Sequence, residues 1–124
     1  VYHGLLDHDA LFELYKKADL LLNVRLTQSM NTAYLFPSKF LEYLAVGKPV
    51  LSTCVAHIEE VYGDYCYLLR EETASALAER ILEIMRIPTT ERHKLGVAAR
   101  QYMLSNRTWD AQGRRIKDYI LSCC

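Results

Sequence analysis

Two short apolar runs separated by a helical pattern constrain this chain more than anything else in it. Residues 20–24 read Leu-Leu-Leu-Asn-Val and residues 49–53 read Pro-Val-Leu-Ser-Thr. Neither run alternates apolar with polar over its length. Each therefore suits a strand covered on both faces, the usual condition in a parallel sheet. Between them, residues 38–46 carry apolar side chains at helical spacing. Gly47 follows the last of these and Pro49 comes two residues later, both ordinary helix stop signals. Strand–helix–strand order of this kind predicts an α/β layered fold.

The remaining elements extend the pattern and then abandon it. Residues 1–3 read as a short strand ended by Gly4, the start of a unit that is expected to continue upstream. Asp7 and Asp9 are candidate N-caps for a helix carrying Leu11, Phe12, Leu14 and Tyr15, with Lys16 and Lys17 in its last turn. A helical turn is predicted over residues 58–62, a turn at Gly63-Asp64, and the last strand over residues 65–69. From Thr73 the period becomes 3.6. Leu77, Ala78, Ile81, Leu82, Ile84 and Met85 form one apolar stripe, closed by Pro88. A second helix is predicted from Thr89 or Thr90 towards Ser105, with Leu95, Ala99, Tyr102 and Met103 inward. Trp109 is expected to anchor a third, which runs through Ile116, Tyr119 and Ile120.

Charge and cysteine content narrow the function. The 124 residues carry 15 basic and 15 acidic side chains, a balance that argues against a nucleic-acid partner. No apolar run reaches the roughly 18 residues of a membrane span. Cys54, Cys66, Cys123 and Cys124 follow no disulfide or zinc spacing, so reduced thiols and a cytoplasmic location are the default expectation. Cys54-x-x-His57 is too sparse for a metal site. His57 reads better as a cap or polar contact beside Glu59 and Glu60, and Glu71-Glu72 as a solvated helix start.

The informative stretch is residues 25–39, the long connection from strand to helix. In open α/β sheets ligands sit beyond the carboxyl ends of the strands, at loops feeding helix N termini, and long ordered loops usually carry function. Pro37 stiffens the approach and Ser38 is a candidate N-cap. The amides of Lys39, Phe40 and Leu41 would then be free to meet an anion, assisted by the helix dipole. Lys39 adds a full positive charge where a cation ordinarily costs about 0.3–1 kcal/mol, and a bound anion would offset that cost. Glu42 lies one turn deeper, about 5 Å along the axis, a distance suited to a diol attached to the anion. The spacing alone admits a second reading, in which Glu42 is a solvated acid at an ordinary helix start.

The segment ADLLLNVR followed by FPSKFLEYLAVGKPVLST resembles the C-terminal domain of family 4 retaining glycosyltransferases of the GT-B fold, closest to the capsular, O-antigen and exopolysaccharide type. The resemblance implies a partial Rossmann-like parallel sheet with flanking helices and a helical C-terminal segment. Residues 1–124 would be the second half of the nucleotide-sugar-binding domain, without the acceptor-binding N-terminal domain. It implies sugar transfer with retention from a nucleotide diphosphate sugar to a glycan or lipid-linked acceptor. No metal or other cofactor is expected, and the whole enzyme is expected to associate peripherally with the inner face of the membrane.

Residue by residue, the resemblance places Glu42 on the donor ribose and Ser38 and Lys39 at the diphosphate. Arg25 is a phosphate or sugar contact, or equally a salt-bridge partner of Asp19 or Glu42. Gly4 and Leu5 match a turn that meets the base, and Tyr34 stands near the donor sugar where many relatives carry the first of two glutamates. The basic pair that grips the diphosphate in the family lies upstream of this chain. The strand matching residues 1–3 is separated from that of residues 20–24 by strands that also precede it, which leaves an uncovered edge. Two other readings stay open at this stage: a nucleotide-sugar epimerase of the same fold, and a non-catalytic α/β interaction module.

Overall fold

In the computed structural model, residues 1–27 and 37–123 are described. The run at 49–53 becomes the centre of the sheet. Three parallel strands, β1 (Leu21–Asn23), β2 (Val50–Thr53) and β3 (Tyr67–Leu69), lie in the order β1-β2-β3. Leu21 pairs with Val50 and Asn23 with Ser52 on one side; Leu51 pairs with Tyr67 and Thr53 with Leu69 on the other. All four β2 residues are buried, the outcome expected of a strand covered on both faces. Within the run, Asn23 and Ser52 are buried polar residues. They satisfy one another across β1 and β2 through a 2.8 Å bond from Asn23 Nδ2 to Ser52 Oγ.

Side-chain alternation along β2 divides the interior in two. Val50 faces one cluster with Leu21, Phe40, Leu44, Ile58, Tyr62, Ala99 and Met103. Apart from Leu21 of β1, these come from α2 (Ser38–Val46), α3 (Ile58–Tyr62) and α5 (Thr89–Asn106), with α1 (His8–Lys17) contributing Tyr15. Leu51 faces a smaller cluster with Leu69 and Ile84, the latter from α4 (Ala74–Arg86). The sheet is thus sandwiched between helices, an α/β architecture as predicted. Asp7 caps α1 by accepting from the Ala10 amide at 2.8 Å, and Thr73 caps α4 in the same way.

The tightest backbone contact joins α2 to α5. Gly47 terminates α2 in the left-handed region, with φ of 82°, and its carbonyl lies against Gly96 of α5. A Cβ on Gly96 would sit 2.2 Å from the Gly47 oxygen. Arg100 of the same helix donates to the Ala45 carbonyl at 2.8 Å, satisfying a C-terminal acceptor of α2.

Several expectations are corrected. Residues 1–3 form no strand; Val1 and Tyr2 are fully exposed, because no described strand is available to pair with them. The strand expected over 65–69 is shorter, since Tyr65 belongs to a 3-10 turn with Gly63 and Asp64. Of the α4 stripe, Ile84 is fully buried while Ala78, Leu82 and Met85 are exposed, because one sheet face covers only a narrow arc of the helix. Trp109 is 92% exposed and anchors α6 to nothing among the described residues. The last helix, α6 (Trp109–Ser122), rests instead on buried Ala111 and on the Thr108 cap, leaving Ile116, Tyr119 and Ile120 exposed.

Gly96→Ala is expected to destabilise the fold by about 1–3 kcal/mol in urea denaturation, through forced separation of α2 and α5. Gly113→Ala, at a helical position with open space around it, should instead stabilise by about 0.5–1 kcal/mol.

Candidate functional site

Because the three strands are parallel, their carboxyl ends share one edge of the sheet, and α2, α3 and α4 all begin there. Each connection brings polar groups to that edge. After β1 come Arg25 and Thr27; after β2, Cys54, His57 and Glu59; after β3, Arg70 and Glu72. Two of these groups hold the chain leaving β1. The Arg25 amide donates to Thr53 Oγ1 at 3.1 Å. The Thr27 amide donates to Glu72 Oε2 at 2.6 Å, and the Thr27 hydroxyl donates to the other Glu72 oxygen. Glu72 is half-buried, so the reading of a solvated acid at this position is corrected: it ties two loops together. Sequence reasoning missed this pairing, which spans 45 residues and leaves no local signal.

Beside them, Arg70 and Glu59 form a 2.6 Å ion pair. The hydrogen bond from Arg70 holds the Glu59 carboxyl below the usual carboxylate range, and the Arg70 charge adds to this. Cys54 approaches the same group. Burial raises its thiol above the ordinary value, and the Glu59 charge and hydrogen bond raise it further. His57 meets Glu60 at 3.0 Å, the polar contact expected of it.

At α2 the helix runs over the predicted residues but its cap differs. Pro37 is the N-cap and Ser38 the first helical residue, with no side-chain cap bond. The Phe40 amide is taken by the Pro37 carbonyl at 3.0 Å. Of the three amides expected to face an anion, that of Phe40 is thereby taken and that of Leu41 falls beyond the first turn. That of Lys39 remains, joined by that of Ser38, which was not in the expected set; both lie where no intrahelical partner exists. Ser38 and Lys39 are exposed, and Glu42 is half-buried one turn on. Glu42 is close enough to Tyr15 of α1 to act on it: burial first, then Tyr43 and Glu42, push the Tyr15 phenol up to about 12. The Tyr15 and Tyr43 rings meet edge to face at 5.0 Å.

Arg25 is exposed, and neither Asp19 nor Glu42 pairs with it among the described residues. Gly4 has φ of 70° with open space around it, and Leu5 is fully exposed. Nothing described draws either towards α2. Tyr34 lies outside the described residues, as does Cys124. Asp7 and Asp9 form an Asp-x-Asp sequence, but Asp7 is engaged in capping α1. Among the described residues no cluster of three His, Cys, Asp or Glu side chains is placed to hold a metal. No described helix is long and apolar enough to cross a membrane.

A separate cavity of about 460 Å³ is lined by Leu41, His57, Val61, Tyr62, Arg107 and Gln112. It includes His57 and Leu41 but none of the side chains assigned to the donor from the sequence. Arg107 stacks over the Tyr62 ring at 5.3 Å.

This parallel sheet between helices, with three helix N termini at its carboxyl edge, is a GT-B-type Rossmann-like arrangement. Sucrose-phosphate synthase from Thermosynechococcus elongatus has a similar structure, with a TM-score of 0.72 at 21% sequence identity. The match covers 100% of this chain and 31% of that one, so the chain spans about a third of that structure's length. No curated protein matches the chain. Residues 1–118 match the family described as glycosyl transferase-like, and the chain belongs to that family.

The Cys54 thiol is expected to alkylate more slowly than exposed Cys123 at pH 8, as read by mass spectrometry. Glu59→Gln should speed it, since removing the carboxylate lowers the thiol pKa towards its ordinary value and raises the thiolate fraction.

Proposed function

We propose that residues 1–124 form the second half of the donor-binding domain of a family 4, capsular or exopolysaccharide-type glycosyltransferase. The enzyme transfers a sugar with retention from a nucleotide diphosphate sugar to a glycan or lipid-linked acceptor. The acceptor is held by an N-terminal domain outside this chain. One observation carries the reading: an exposed helix start bearing Lys39 and two amides without intrahelical partners, with the half-buried Glu42 carboxylate one turn deeper. An anion at that start and a vicinal diol beside Glu42 match the diphosphate and ribose of a nucleotide donor.

In this proposal the helix-start amides, Lys39 and Arg25 stabilise charge growing on the departing diphosphate, which is generally the largest catalytic contribution. Glu42 accepts hydrogen bonds from the ribose hydroxyls and fixes the donor in place. Ser38 completes the diphosphate cradle, while Gly4, Leu5 and Tyr34 belong to the surroundings of the base and sugar. Transfer on one face of the donor needs no protein nucleophile, and no general base is assigned within this chain. No metal or other cofactor enters the scheme. The enzyme works in the cytoplasm, peripherally attached at the inner membrane face.

Glu42→Ala is expected to weaken nucleotide binding by about 1.5–3 kcal/mol, the range for charge-assisted hydrogen bonds. Calorimetric titration of the intact protein with UDP- and GDP-sugars measures it. Unchanged affinity in the variant removes Glu42 from the site. Failure of the unaltered protein to bind either nucleotide favours a non-catalytic interaction module.

A further inference from the structure

We propose that Glu72 is a positioning residue for Arg25, holding that side chain at the ligand edge of the sheet. This rests on the donor-site reading above and adds a residue on a different loop to it. The segment leaving β1 is anchored at two points. Upstream, the Arg25 amide is bound to Thr53, the fully buried last residue of the central strand. Downstream, both donors of Thr27 are bound to the two Glu72 carboxylate oxygens. Arg25 and Leu26 are thereby stretched between two fixed ends, with the guanidinium exposed.

Packing does not provide this restraint. Val24 and Leu26 border a largely apolar cavity of about 220 Å³ shared with Leu69, Thr73, Ala74 and Leu77. Leu26 itself is 65% exposed. A side chain this exposed restrains the segment weakly, because few neighbouring atoms surround it to define one position. The Glu72 end is rigid for its own reason: it immediately precedes Thr73, whose hydroxyl caps the 13-residue helix α4. A carboxylate suits the role because it accepts two hydrogen bonds at once and has no donor of its own to satisfy.

The proposal predicts a coupling that a merely structural Glu72 would not produce. UDP and GDP affinities of the intact protein are measured for Arg25→Ala, Glu72→Ala and the double variant, with thermal melts as the folding control. Each single variant should weaken binding of the better nucleotide about tenfold, in keeping with one charge-assisted contact. The double variant should bind no more weakly than Arg25→Ala alone. Glu72→Gln, which can accept from the Thr27 amide and donate to its hydroxyl, should largely restore affinity.

Additive losses, or a Glu72→Ala protein with normal affinity, overturn the positioning role and leave the donor site standing. Normal affinity in Arg25→Ala removes Arg25 from the diphosphate and this inference with it, while Glu42 keeps its separate test. Absence of nucleotide binding by the unaltered protein fails the donor reading itself. If Glu72→Ala does not fold, Thr27→Val replaces it in the cycle, since it removes the hydroxyl from the same clamp and leaves the carboxylate in place.

Discussion

Burial of β2 on both faces is the constraint from which the rest follows. A strand with no solvent-facing side must be flanked by other strands and covered by helices, and all its backbone groups must be satisfied within the sheet. Parallel neighbours meet that demand here, and parallel strands need crossover connections that return the chain to the same end. Every carboxyl end then opens on one edge, and the helices that follow begin there. The polar concentration along that edge is a consequence of topology before it is a feature of any single residue. Even the buried Asn23–Ser52 pair fits this scheme, since each fills its neighbour's need inside the sheet.

The electrostatics of the edge are divided among helices. At α3 the charges are largely self-satisfied, with Arg70 against Glu59 and His57 against Glu60. At α4, Glu72 spends its carboxylate on Thr27. At α2 the balance differs: Lys39 is exposed at a positive helix end, and Pro37 supplies no side chain to cap it. That asymmetry is what the proposed anion site at α2 rests on. The opposite end of α2 is closed by the Gly47–Gly96 contact and Arg100, so the helix is fixed at its base, while Ser38 and Lys39 at its N terminus are exposed.

Legibility in the sequence followed range. The α2 span was readable because its signals are local: apolar spacing, then Gly47 and Pro49. The cap lies one residue before the expected Ser38, since Ser is a frequent cap type and only the backbone shows Pro37 in that role. Trp109 is expected to anchor the last helix, yet it is 92% exposed. Its exposure depends on what lies beside α6, which periodicity cannot report. Glu72 was read as solvated for the same reason: its partner is far away in sequence.

What the chain order alone determined is the α/β class, the doubly buried strand β2 and the helix carrying Ser38, Lys39 and Glu42. Those depend on spacing between near neighbours, and 3.6- and 2-residue periods are written directly into the residue string. The same burial expected of residues 20–24 is corrected, since Leu22 of β1 is 44% exposed on a face that nothing described covers. Only the tertiary structure decided that residues 1–3 stay unpaired, that Glu72 grips Thr27, and that Glu42 lies near Tyr15. The last two require distant segments to arrive at one place, and the first turns on no described strand arriving beside residues 1–3; all are set by how helices pack on the sheet.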